Sequence, residues 1–281
     1  MIIYHGGSGL TTQQRIEEYG APVSVLQPYD VLAKKGITRL SWWDKFFLDS
    51  GAFTISQKGG EINVYDYIAF VKEWEKEIDV YASLDVVGDG EASYRNWRIM
   101  LDAGLNPLPV FPDGEPLDIL FEYAKVTNYI GLGAVAFKST KRRMIFFDQV
   151  FSLFPDPSKV GFHGFGVMSE DLLLRYPWRS VDATTVLLFA CNGAILYPGY
   201  GAIRINPNVS KKDLRWKTDI SEEMVRAYIE GFGLSYEKAC EQTMDGTFER
   251  IFVNLHCYEE VRKKVPTVFR PKFKTLPVVQ L

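Results

Sequence analysis

The chain has 281 residues, long enough for one large α/β domain or two small ones, and its 47% hydrophobic content is ample for a sizeable core. Its 32 basic residues stand against 35 acidic ones, so no overall positive field draws it to nucleic acid or anionic lipid, and any such contact has to use a local patch. Cys191, Cys240 and Cys257 form no CxxC pair, which argues against a disulfide framework and for a reducing, cytoplasmic setting.

The opening MIIYHGGSGL lacks the basic start and long apolar core of a signal peptide, and the most apolar stretch, 184–203, is broken by Asn192, Pro198 and glycines, so no membrane span is expected. From about residue 20 to 190, short apolar runs alternate with longer amphipathic ones, the pattern of βα units around a parallel sheet. Strands are expected at 23–26, 46–48, 80–84, 108–111, 129–132, 160–165 and 185–190, with an eighth at either 2–4 or 194–197. Helices fall between them: Tyr67, Phe70, Val71, Trp74 and Ile78 share one face, and Met144, Phe147, Phe151 and Phe154 share another. The expected fold is α/β, a (β/α)8 TIM barrel over 1–205 with a helical C-terminal extension, 206–281, packed on it; a doubly wound open sheet is the alternative. Within the extension, Ser221 and Ser235 read as helix N-caps.

In both folds ligands bind at the carboxyl ends of the strands. Those ends carry Asp49 after FFL, Asp85 after YASL, the Gly131-Leu132-Gly133 segment, His163-Gly164-Phe165-Gly166, and Asp182 after RSV. A lone aspartate at such a place is usually a turn or helix cap, but three around one barrel mouth suggest carboxylate chemistry. Metal and cofactor signatures do not accompany them. His5, His163 and His256 are scattered without HxH or HExxH, neither GLGAVA nor HGFGVM completes GxGxxG, and there is no Walker A or GxSxG motif, so no metal and no cofactor are expected. Three basic runs are candidate phosphate contacts: KSTKRR with Lys138, Lys141, Arg142 and Arg143; KKDLRWK with Lys211, Lys212 and Arg215; and the tail from Arg262 to Lys274.

The run DSGAF at 49–53 resembles the DSGGF or DSGGY signature of the tRNA-guanine transglycosylases that make queuosine and archaeosine, and the ordered elements behind it agree over roughly 45–190. SLDVVGDGEASYRNWRIMLDAGLNPLPVF, together with HGFG and YPWRSVDAT, is similar more narrowly to compact phage-encoded members thought to place 7-deazaguanine bases in DNA. The resemblance implies that Asp182 is the nucleophile and that Asp49 moves the base's proton. Asp85, with Ser50 beside Asp49, would hold the guanine edge. It also places Phe53 and His163 on the faces of the base, the backbone of Leu132 and Gly133 near the 7-substituent, and Gly164 in the turn beside it. The implied partners are DNA, with tRNA as the alternative, a free 7-deazaguanine base, and a helper protein or second copy. Three departures bear on the polymer: the CxCxxC zinc cluster of the tRNA enzymes is missing, Phe111 or Pro112 stands where they carry glutamine, and no tRNA-binding domain fits in the remaining length. A non-catalytic nucleic-acid-binding subunit and a carboxylate-dependent glycoside hydrolase are the competing classes.

Overall fold

In the computed structural model, which describes residues 1–7, 14–135, 138–205 and 220–270, eight parallel strands form one curled sheet. They are β1 (Ile2–Gly6), β2 (Val23–Pro28), β3 (Trp43–Asp49), β4 (Val80–Tyr81), β5 (Val110–Pro112), β6 (Tyr129–Gly133), β7 (Gly161–Gly164) and β8 (Ser180–Ala183), in the spatial order β4-β3-β2-β1-β8-β7-β6-β5. A single parallel bridge between Ala82 and Leu108 joins the two outer edges: Ser83 N–H donates to the Leu108 carbonyl at 2.8 Å and Leu108 N–H to that of Tyr81 at 2.9 Å. The expected (β/α)8 architecture is therefore present, its ring narrowest in hydrogen bonds at that seam.

Connecting helices clothe the ring: a 3-10 helix at Gln14–Tyr19, then α1 (Tyr29–Leu32), α2 (Ala52–Gln57), α3 (Val64–Glu73), α4 (Gly90–Asp102), α5 (Leu117–Val126), α6 (Thr140–Leu153), α7 (Glu170–Leu173) and α8 (Thr185–Cys191). Alternation along each strand sorts side chains inward or outward. Tyr4, Leu26, Phe47, Ala82, Leu108 and Val110 pack together inside the barrel, while Ile3, Val25, Phe46, Leu48 and Leu132 point out to the helices. Gly131 is an inward position kept empty: a Cβ there would sit 2.5 Å from the ring of Phe165, which crosses the interior at that level.

Two expected strands change place. The run 185–190 is helix α8, and the eighth barrel strand is the preceding RSVDA segment. A continuous apolar run of this length fits strand or helix equally; here Val186 and Ala190, four apart, are buried while Leu188 is 54% exposed, which is helical spacing. The 194–197 strand exists as β9 (Ala194–Tyr197), but it pairs antiparallel with β10 (Gly201–Arg204) outside the ring, and the 2–4 segment takes the barrel position.

Beyond the hairpin, α9 (Glu222–Glu230), α10 (Tyr236–Cys240) and α11 (Met244–Arg262) complete the described chain. Ser221 and Ser235 do cap: their side chains accept from Met224 and Lys238 N–H at 3.2 Å each. Ile195, Ile203, Ile220, Val225, Ile229 and Val253 form a second small core, while Phe248, Ile251, Leu255 and Tyr258 of the same α11 belong to the main one. α11 is thus buried on both sides. Arg250 and Asn254 fasten it: the guanidinium donates to the carbonyls of Ala190 (2.7 Å), Ala239 (2.6 Å) and Glu241 (2.8 Å), and Asn254 accepts from Leu196 N–H at 2.6 Å while donating to the Val186 carbonyl at 3.2 Å. Among the described residues no helix is long and apolar enough to cross a membrane.

Candidate active site

β3 ends on Asp49, and the chain must turn at once to start α2. Gly51 makes that turn at φ +74°, and a side chain there would also press a Cβ to 2.9 Å from Asp30 Oδ1. The tight Asp49-Ser50-Gly51 turn brings Gly51 N–H to 3.3 Å from Asp49 Oδ2 and sends the Ser50 hydroxyl across to the next strand, where it donates to Asp85 Oδ1 at 2.7 Å. Ser50, buried, therefore orients one of the predicted carboxylates rather than presenting itself to a ligand. Phe53 follows on α2, 45% exposed.

On the opposite side of the ring, Asp182 rises from β8, pointing inward like Ser180 two residues before it. Its Oδ1 accepts from Gly166 N–H at 3.2 Å and lies 3.1 Å from His163 Nε2. His163 Nδ1 in turn lies 2.6 Å from the Ser180 hydroxyl, which meets the hydroxyl of Tyr129. His163 and Ser180 are fully buried, and the imidazole is enclosed by Phe165, Phe47 and Tyr4, with ring centroids at 4.4, 4.7 and 6.1 Å. A ring with no exposed surface and both nitrogens engaged has no face for a planar ligand, so the expected stacking role of His163 is replaced by a hold on Asp182.

Asp49 ends β3, Asp85 follows β4 and is tied to Ser50, and Asp182 lies in β8, so all three stand at the carboxyl end of the ring. Burial, then the charges of Asp85 and Asp182, push the Asp49 carboxyl up to about 7. Burial also raises Asp85, against the Ser50 hydrogen bond that favours its anion. Beneath them, the Tyr67 hydroxyl donates to the Ala82 carbonyl at 2.9 Å, and burial followed by Asp49 and Asp85 keeps it protonated well above its ordinary range. An acid with a pKa near neutrality beside two further carboxylates can give and recover a proton at pH 7.

The other predicted positions lie on β6, on β7 and around the start of α6. The Leu132 side chain faces the outer core, leaving only its backbone toward the ring. At Gly133 an added Cβ would lie 2.9 Å from Val110, and at Gly164 it would strike the Trp178 ring at 2.9 Å, so Gly164 makes room for Trp178. Just past β6, Ala134 adopts φ +58°, a conformation costly for a side chain, at the rim where the resemblance places the 7-substituent. In the first basic run, Asp113, its side chain 4% exposed, takes Lys138 Nζ at 2.7 Å and the Arg142 fork at 2.9 and 2.8 Å, while Arg143 Nε donates to the Lys138 carbonyl at 2.9 Å. Those contacts tie the loop after β5 to the start of α6; Lys141 is exposed. Lys211, Lys212 and Arg215 lie outside the described residues.

Ser180, Tyr129 and Tyr67 are the members that sequence reasoning missed. Ser180 was within reach, because a polar residue two before a strand-end aspartate shares its inward face; the others carry no such signal. A cavity of about 620 Å³ lies next to Gly166, between α7, α8 and the β9–β10 hairpin, with Tyr197, Tyr200 and Tyr258 in its wall and Arg143 at its edge. Among the described residues no group of three or more His, Cys, Asp and Glu is placed to hold a metal ion. No family model matches the chain, and no curated protein matches its sequence.

Proposed function

We propose that the protein is a base-exchanging guanine transglycosylase that replaces guanine in DNA by a 7-deazaguanine through an aspartyl-glycosyl intermediate. The observation that carries this reading is the placement of Asp49, Asp85 and Asp182 at the carboxyl end of one ring, with Asp49 raised to about 7 by burial first and then by the other two. Asp182 attacks C1′ of the target nucleoside as the C1′–N9 bond breaks, and the electron pair of that bond leaves with guanine, which takes a proton from Asp49. The incoming base returns its N9 proton to Asp49 and attacks C1′, releasing the Asp182 carboxylate. Two displacements at one carbon retain the β configuration. Proton transfer at the leaving base contributes about 10²- to 10⁴-fold. Asp85, one oxygen held by Ser50, offers the other to the N–H groups of guanine's edge. Phe53 is the exposed aromatic at the rim, placed to cover the base once it is out of the stack.

DNA as the polymer comes from the sequence resemblance, and the net charge of −3 means that phosphate binding needs a local patch. The test is exchange of labelled guanine into DNA and into tRNA in parallel, with denaturing gels to trap the covalent adduct. The expected result is exchange into DNA and an adduct that Asp182→Ala abolishes and that Asp49→Asn still forms, slowed by about 10²- to 10⁴-fold because the departing guanine loses its acid. Exchange into tRNA alone reverses the choice of polymer, and absence of exchange and adduct with both polymers refutes the reading.

A further inference from the structure

We infer that His163 is the positioning residue for Asp182, acting as the last link of a one-way hydrogen-bond chain that starts at Tyr129. The contacts are consecutive: Tyr129 hydroxyl to Ser180 hydroxyl, Ser180 Oγ to His163 Nδ1 at 2.6 Å, His163 Nε2 to Asp182 Oδ1 at 3.1 Å. With a neutral imidazole, only one direction of donation satisfies every link. An ionised carboxylate accepts and never donates, so His163 carries its proton on Nε2. In the neutral ring Nδ1 is then an acceptor, and it takes the Ser180 proton. The Ser180 oxygen is left to accept from Tyr129, whose hydroxyl burial keeps protonated up to about 12 and whose ring lies under the Arg179 guanidinium at 4.3 Å. In the reverse direction Asp182 would have to be neutral, and the Tyr129 proton would find no acceptor among the described residues.

The chain does two things to Asp182. It adds a second N–H donor to that of Gly166 on Oδ1. It also pins the carboxylate by one oxygen: Oδ2 accepts no hydrogen bond among the described residues, and the side chain keeps 14% of its surface exposed. Oδ2 is therefore the oxygen left to react. The role in catalysis rests on Asp182 as nucleophile; the direction of the chain does not, and the two are separable by experiment.

The first measurement is nitrogen-15 NMR of histidine-labelled protein, which needs no substrate. The chain contains three histidines, His5, His163 and His256, and His163→Gln assigns the signal. The expected spectrum is a neutral imidazole with its proton on Nε2, whose Nε2 resonance moves in Asp182→Asn and whose Nδ1 resonance moves in Ser180→Ala. A proton on Nδ1 overturns the inference. The second measurement is adduct formation and exchange in His163→Gln, which keeps an N–H donor near the Nε2 position, and His163→Leu, which has none. Glutamine is expected to stay within about tenfold of wild type, whereas leucine loses on the order of 10²- to 10³-fold in kcat, the size of one lost preorganised donor, with KM for the polymer little changed. Equal activity of the two variants overturns the positioning role. A wild-type protein that gives the expected spectrum but no adduct with DNA or tRNA upholds the hydrogen-bond chain and refutes base exchange instead.

Discussion

Asp49 is where local geometry and charge meet most directly. Its carboxyl is raised to about 7 by burial and by Asp85 and Asp182, so ionising it costs the folded state something that the unfolded chain does not bear. For an acid with a raised folded pKa, the favourable contribution is fully present below the unfolded value near 3.8 and is lost as pH rises through about 7. Asp49→Asn removes that loss. The variant is expected to be more stable than wild type at pH 8 by a few kcal/mol at most, with the difference shrinking to nothing toward pH 4. Urea unfolding at the two pH values reads this directly, and an asparagine variant that is less stable at pH 8 would show that Asp49 is not held in a repulsive site. On the proposed mechanism the same substitution blocks proton transfer, so a gain in stability with a loss of exchange would identify strain kept for chemistry.

At the scale of elements, Arg250 links three chain segments that the barrel alone does not connect. Its guanidinium reaches the carbonyl of Ala190 at the end of α8, and those of Ala239 and Glu241 at the end of α10, from a side chain that is buried. Helix C-termini leave carbonyls unpaired and carry partial negative charge, so a cation there satisfies both needs. Arg250→Met keeps much of the volume but leaves those carbonyls without donors, and a loss of about 3 kcal/mol or more is expected in denaturant midpoints. Little change would mean that water replaces the guanidinium. None of this is visible in the sequence, where Arg250 stands in a helix rich in charge and looks like a surface residue. The barrel strands were legible because their apolar runs end in glycine, aspartate or proline, and the strand-tip aspartates could be read off with them. The helix α8 was not, because after Thr185 the run VLLFA has no polar residue to mark a face. The stapling of Lys138 and Arg142 by Asp113 escaped for a related reason: a local charge run does not announce a buried partner on a different loop.

For the molecule as a whole, the division of the chain near residue 205 is a division of sequence pattern more than of packing. Residue 205 follows a hairpin that is no part of the ring, and the last described helix returns to the barrel: Phe248, Ile251, Leu255 and Tyr258 enter the main core while Val253 enters the small one. A helix shared by two cores makes each depend on the other, because unfolding the terminal segment would strip apolar cover from the outer faces of β1 and α8. The small core, built of Ile195, Ile203, Ile220, Val225, Ile229 and a few neighbours, is too slight to persist alone. One cooperative transition is therefore expected, with calorimetric and van't Hoff enthalpies in agreement, and circular dichroism and tryptophan fluorescence should fall together. A chain ending at residue 220 is expected to lack that transition even though it keeps all eight barrel strands. Two separated transitions, or a cooperatively folding truncated chain, would establish the terminal helices as an independent unit and detach Arg250 and Asn254 from the stability of the mouth.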